Sequence, residues 1–328
     1  MPCTATRAWR AIAFAISALL AGPAAAAEAF PQRPVSIVVP TTAGGTADIL
    51  ARLIGPKLAQ KWGQPVVVEN KPGAGTLVGS EYVARAQPDG HTLMLTFTEL
   101  ATLPAINKNA RVDVVADYTR IGRIGSLPVL ILAHPSMKPD TLQDLIAELR
   151  AHPGKYTYSS NGAGSVLQLY TEMFKREAGV DVLHIPYRGA LEASTAMLAG
   201  EVNVLVQFGS GNVISYVTSN KAKAYAVASP ERLAALPDVP TTAQAGLPNL
   251  RLEAWYGLFG PAGMDPALVE RINADLRQAL QEPDVLERFK GINLQPQPGS
   301  VTEFDTFFRE EHRRWSELIQ AAGIQSNQ

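Results

Sequence analysis

Cysteine is almost absent: Cys3 is the only one in 328 residues. It stands ahead of an apolar run, so it is not placed as a lipid-modified cysteine. The rest of the chain can form no disulfide, thiol nucleophile or cysteine-based metal site. No apolar stretch reaches the twenty or so residues that a membrane-spanning helix requires. Charge of one sign is not in excess, with 29 basic and 30 acidic residues interspersed. No basic stripe therefore suggests nucleic acid or anionic lipid. Internal repeats at solenoid periods and low-complexity tracts are also missing.

Catalytic signatures are equally scarce. The histidines are His91, His134, His152, His184 and His312, and no two have the spacing of a His-Glu-x-x-His zinc site. Ser165 lacks the Gly-x-Ser-x-Gly context of a nucleophile elbow. Neither a Walker phosphate loop nor a Gly-x-Gly-x-x-Gly dinucleotide spacing is present. These absences weigh against an enzyme, and no metal or other cofactor is expected.

The first residues read as an export signal. Arg7 and Arg10 precede the apolar run Ala11 to Ala21, and Ala25-Ala26-Ala27 fits a small-x-small cleavage site. Residues 1–27 are the expected leader, with Glu28 as the new N-terminus and the periplasm as the destination. Losing Arg7 and Arg10 takes the 29 basic residues to 27 against 30 acidic ones, a net charge of −3.

Beyond residue 27 the sequence alternates strand-like and helix-like stretches, the pattern of an α/β fold. Val35 to Pro40 reads as a buried strand. Thr46 to Lys61 reads as a helix facing inward through Ile49, Leu50, Leu53, Ile54 and Leu58, with a kink expected at Gly55-Pro56. Further strands are expected at 66–68, 92–95 and 129–133, and a helix at 142–149. A second set follows, with strands at 156–158, 182–185, 202–206 and 224–228 and helices at 166–178 and 191–198. Two helices end the chain. Asp265 caps the first. Ser300 and Glu303 form a capping box for the second, and Gly323 stops it. Two strand–helix sets of this size predict two lobes with a cleft between them, where strand C-termini meet helix N-termini.

One loop in each set carries chemistry. Thr41-Thr42-Ala43-Gly44-Gly45-Thr46 follows the first strand, and Asn161-Gly162-Ala163-Gly164-Ser165 follows the strand at 156–158. Both combine glycine with small hydroxyl residues ahead of a helix. Such loops turn backbone N–H groups inward at the positive end of a helix dipole and hold an anion without Lys or Arg. Ordinary strand-to-helix turns have the same composition, but a matched pair favours binding. Bulk at Gly45 is expected to harm binding through both backbone angle and space. Asp48, in the first turn of its helix, either complements the dipole or meets a polar group of the ligand. Gln207 ends a strand where its amide reaches the cleft, and Tyr187 opens a helix as a third wall. Thr98 and Gly189 complete the candidate ligand-binding set.

These loops and other stretches resemble the Bug family of periplasmic receptors, the solute-binding subunits of tripartite tricarboxylate transporters. The resemblance runs from Phe30-Pro31-Gln32-Arg33-Pro34 to Ala321-Ala322-Gly323-Ile324. It includes Ala43 to Arg52, Gly63 to Gly75, Pro88 to Leu93, Ser159 to Ser165, Pro186 to Gly189, Pro237 to Thr241 and Trp255 to Gly263. It implies a two-lobed, Venus-flytrap periplasmic binding protein of type II-like form, with crossover segments near Gly125 and Glu253. Lobe 1 would comprise residues 28–125 and 253–328, and lobe 2 residues 126–252. It implies a small carboxylate ligand, held by backbone groups of the first loop and ordered waters, with direct contacts from the second loop. Its partners would be membrane subunits of a tripartite transporter, or a sensor protein, and the receptor itself a monomer. A receptor that signals without transport and an enzyme on the same scaffold are the rival classes. The chain departs from the family at Pro40-Thr41, where Pro-Phe is frequent, and at Met264-Asp265-Pro266, where Gly-Thr-Pro is frequent.

Overall fold

The computed structural model describes residues 30–107, 109–250 and 252–322. The export leader over residues 1–27 and the helix stop at Gly323 lie outside the described residues.

The strands are β1 Val35–Val39, β2 Val66–Asn70, β3 Thr92–Phe97, β4 Tyr118–Ala133, β5 Thr157–Ser160, β6 Leu183–Pro186, β7 Val204–Phe208, β8 Lys223–Ala228, β9 Glu253–Pro261 and β10 Gln295–Pro296. They share one hydrogen-bonded network in the order β2-β1-β3-β9-β4-β7-β5-β6, with β8 and β10 also on β4. Within β1-β2 and β1-β3 the pairing is parallel, as in β5-β6 and β5-β7. Right-handed crossover units favour such pairing because a helix returns the chain between parallel strands.

The two lobes meet along β4. Tyr118 to Pro128 pairs antiparallel with β9, whereas Val129 to Ala133 pairs with β7 and β8. The change of partner falls between Pro128 and Val129, beyond Gly125. Because β9 starts at Glu253 opposite Pro128, both connections between the lobes pass through adjacent strands.

The Thr46–Trp62 helix buries Leu50, Ile54 and Leu58, while Ile49 and Leu53 are half-buried. It continues across Gly55-Pro56, so the expected interruption does not divide it. Pro56 is exposed, and Gly55 packs on β2, where a Cβ would meet Val66 at 3.4 Å, an ordinary contact. Both caps near the C-terminus form. Asp265 accepts from Ala267 N at 2.9 Å and Leu268 N at 3.1 Å. Ser300 N donates to Glu303 Oε2 at 2.7 Å, and Glu303 N donates to Ser300 Oγ at 3.2 Å. Three helices, not two, occupy this region, because Pro283–Gly291 intervenes. The Val301–Ala322 helix buries Phe304, Phe308, Trp315, Leu318 and Ile319.

That last helix also touches the second lobe. Its Trp315 ring lies 5.5 Å from Tyr170 of the Val166–Ala178 helix, and Tyr170 donates to Glu253 O at 2.5 Å. A fully buried tyrosine thus ties the second lobe to the crossover strand.

Candidate functional site

Loop one is built around Asp48. Gly44 has a φ of +86°, a region that glycine enters at little cost. That geometry turns its N–H onto Asp48 Oδ2 at 2.9 Å. Arg52 Nε donates to both carboxylate oxygens at 3.0 and 3.1 Å, and Asn70 Nδ2 donates to Oδ1 at 3.0 Å. Asn70 Nδ2 also reaches Thr41 O at 3.1 Å. The Arg52 bond, with help from Gly44 and Asn70, holds the buried carboxyl down at about 2. Of the two roles open to Asp48, a charge at the helix start and a ligand contact, the structure favours the first, since its oxygens are bonded within the loop and its surroundings.

Gly45 corrects a second expectation. Its backbone is extended, with φ −72° and ψ 165°. The nearest atom to a Cβ placed there is Thr42 O at 3.7 Å, so neither angle nor space demands glycine. The consequence of this glycine is a missing cap. The Thr46–Trp62 helix has no side-chain cap at Gly45, so its first-turn N–H groups gain no side-chain acceptor there.

Loop two spends most of its backbone N–H groups internally. Ser165 Oγ accepts from Gln168 N at 3.3 Å, and Gln168 Oε1 accepts from Gly164 N at 2.6 Å. Gly162 N donates to Ser160 Oγ at 3.2 Å, and Ser165 N to Gly162 O at 3.2 Å. The expected matched pair of open anion cradles is therefore not what the chain forms. Both loops start a helix after glycine, but only the first leaves that helix uncapped.

Two cavities of about 190 Å³ each are lined by residues of both lobes. Thr46, Ala190, Ser194, Gln207, Phe208 and Ser210 are among the residues lining the first. Three helices begin beside it, at Thr46, Ala190 and Gly211, with Gly45, Gly189 and Ser210 as caps that make no side-chain bond. No Lys or Arg lines it. Converging helix N-termini give a positive potential from backbone dipoles alone. Tyr256 stands beside this cavity, its hydroxyl within hydrogen-bonding reach of Thr46, and burial pushes its ionisation well above the ordinary range.

The second cavity is lined by Gly75, Glu99, Thr102, Asn161, Gly164 and Ser165, among others. Its wall includes a strained turn, with Ala74 at φ 45° and Thr76 at φ 79°. A β-branched residue in the left-handed region is costly, and such strain clusters at ligand clamps.

The sequence-predicted residues thus divide. Thr46 and Gln207 line the first cavity, and Asn161, Gly162, Ala163, Gly164 and Ser165 line the second. Thr42, Ala43, Gly44 and Gly45 are exposed, Thr41 is half-buried, and none of the five lines either cavity. The Gln207 amide is held by Ala190 O at 3.4 Å, Ser194 Oγ at 3.3 Å and Phe208 N at 2.9 Å. Gly189 caps the Ala190–Leu198 helix. Thr98 faces neither cavity, because its hydroxyl donates to Glu253 O at 3.3 Å and accepts from Trp255 N at 3.2 Å, fastening β3 to β9. Tyr187 does not form the expected wall either, since its hydroxyl turns to Glu201 Oε2 at 3.3 Å. Sequence reasoning missed Glu99, Ala74, Gly75 and Ser210. Glu99 and Ser210 follow strands β3 and β7, so the strand-end rule that found the glycine loops reaches them too.

A family profile described as the tripartite tricarboxylate transporter family receptor matches residues 50–324. BugT of Bordetella pertussis is 31% identical over 312 residues, covering 94% of this chain and 95% of that protein. The structure of the periplasmic binding protein BugD aligns with a TM-score of 0.75 at 31% identity, over 91% of this chain and 100% of that one. MatC of Rhodopseudomonas palustris, solved with bound malate, aligns with a TM-score of 0.75 at 32% identity, over 88% of this chain and 100% of that one. The two α/β lobes joined through β4 and β9 are those of a periplasmic binding protein, and the chain belongs to the tripartite tricarboxylate transporter receptor family.

Proposed function

We propose that this chain is a periplasmic receptor that captures a small carboxylate-bearing metabolite between its lobes. It then presents the closed complex to the membrane subunits of a tripartite transporter. The observation that carries the reading is the first cavity, where three helix N-termini without side-chain caps converge and no cationic side chain competes. The malate in MatC supports the ligand class. The uncapped backbone N–H groups at the start of the Thr46–Trp62 helix take the carboxylate directly or through water. Asn161 to Ser165 close on it from the other lobe.

The hinge lies where β4 changes partners after Pro128 and where β9 begins at Glu253. Lobe 1 then holds the chain up to about Gly125 and from Glu253 onward, and lobe 2 the segment between. Closure excludes water and strengthens each polar contact. Export follows from the leader at residues 1–27. Among the described residues no helix is long and apolar enough to cross a membrane.

A thermal-shift screen of small carboxylates tests the reading. A true ligand at a hundredfold excess over Kd raises stability by about 2.7 kcal/mol. Such a ligand is expected back chemically unchanged, with an affinity that falls little as salt rises, because the anion is buried among dipoles. No stabilisation by any carboxylate, or affinity that collapses with modest salt, refutes it.

A further inference from the structure

A third cavity, of about 430 Å³, lies along the two crossover strands and is larger than either of the others. Strand β4 supplies Arg123, Leu127 and Pro128, and β9 supplies Glu253. The second lobe adds the wall from Ala228 to Pro230 and from Thr242 to Leu252, and Gln297 of the first lobe faces them. Leu127 also lines the first cavity, so one residue of the hinge is shared by both spaces.

The polar end of this cavity is fastened to one oxygen. Glu253 Oε1 accepts from Gln297 Nε2 at 2.9 Å and lies 2.6 Å from Arg123 Nη2 as an ion pair. Burial raises the Glu253 carboxyl, but Arg123 and Gln297 together hold it below its ordinary value, so it is ionised at neutral pH. An ionised carboxylate needs the donor end of the amide, which leaves Gln297 Oε1 over. That oxygen is buried with no hydrogen-bond partner among the described residues, and so is Arg123 Nε. The guanidinium is held in place from one face, with its Cζ 3.7 Å from the centre of the Phe307 ring. Buried polar groups in native proteins are nearly always partnered. An unmet donor and an unmet acceptor, both tied to the same carboxylate oxygen, call for a group that accepts and donates side by side. Among the described residues Arg123 and Glu253 are the only charged ones lining the cavity, and their charges cancel. Leucines and prolines make up much of the rest, including Leu127, Pro128, Pro230, Leu250 and Leu252.

We propose that this hinge cavity is an effector site, separate from the carboxylate cleft, for a small uncharged molecule that carries an amide or alcohol on an apolar body. The head group accepts from Arg123 Nε and donates to Gln297 Oε1, while the body lies against the leucines and prolines. A charged acid is disfavoured there, because Glu253 already neutralises Arg123 and repels a second carboxylate. The walls belong to both lobes and to the strands that join them. An occupant therefore fits one arrangement of the lobes better than another and shifts the balance between them.

Ligand-observed NMR titration with benzamide tests this, with acetophenone and benzoate as matched controls. Benzamide should bind the wild-type protein, and acetophenone, which lacks the donor, should bind about tenfold more weakly. Ala243→Trp, which fills the cavity from an exposed position in its wall, should abolish benzamide binding. Gln297→Met should weaken benzamide about tenfold and leave acetophenone unchanged. Benzoate should respond to neither substitution, since any that binds does so in the cleft. Saturating benzamide should alter the small-angle X-ray scattering of the wild type and leave that of Ala243→Trp unaltered. Circular dichroism establishes that both variants are folded. No benzamide binding, binding that survives Ala243→Trp, or binding without a change in scattering overturns the inference. So does a preference for benzoate that Ala243→Trp removes. The carboxylate reading stands or falls separately, on the screen described above.

Discussion

The two glycine loops look alike in sequence and behave differently in the fold. Both leave a strand, pass through glycine and small hydroxyl residues, and enter a helix. In the first, Gly45 occupies the cap position and offers no side chain, so the helix N-terminus stays open. In the second, Ser165 closes the helix and Gln168 binds the preceding glycine. An anion gains most where donors are left over, and only the first of the two helices is left without a side-chain cap. Glycine content alone therefore does not identify an anion cradle. The cap residue decides.

The largest expected effect removes the scaffold of the first loop. Asp48→Asn should cost up to about 2 kcal/mol at neutral pH, less the screening permitted by the exposed Arg52. Because the Asp48 carboxyl is held below its ordinary 3.8, its stabilisation is complete above that value and is lost as pH falls towards about 2. Chemical denaturation of both proteins across acidic pH reads this out, and parallel curves would mean that Asp48 does not hold the loop.

Next comes a substitution that makes the first loop imitate the second. Gly45→Asp fits the extended backbone and supplies the missing cap acceptor. Affinity for the carboxylate should fall about tenfold, equivalent to about 1.4 kcal/mol, with no loss of thermal stability. Unchanged affinity in calorimetry would place the anion elsewhere.

The smallest effect is the converse. Ser165→Ala should cost about 1 kcal/mol of folding stability, the usual worth of a helix cap. Urea melts measure it. Intact stability with weakened binding would instead show that the Ser165 hydroxyl is spent on ligand.

Some of this contrast was legible in advance. Ser165 followed three residues later by Gln168 is itself a capping signature, so the closure of the second loop could have been read from the chain. The open first loop could have been inferred from a bare glycine at the cap. Other features carried no such signal. Strand β9 is buried almost throughout, so it lacks the alternation that marks a half-exposed strand. The Leu77–Ala84, Glu99–Ile106 and Gly211–Thr218 helices have only eight residues each, too few for a firm period. Glu99 reads as an ordinary acidic residue in a helical first turn until its surroundings are known.

By itself the sequence determined the local vocabulary. Strand and helix alternation, the Asp265 cap and the Ser300–Glu303 box all depend on residues within a few positions of one another, where covalent connection fixes the neighbours. The tertiary structure decided which polar groups are spent and which are left over. Asp48 is neutralised as a ligand contact partly by Asn70, and Thr98 by Glu253, partners that only the folded sheet brings together. Glu99 and Asn161 face the same cavity from opposite lobes. A hydrogen bond forms or fails over a few tenths of an ångström, a distance set by packing between segments far apart in the chain and not by the order of residues along it.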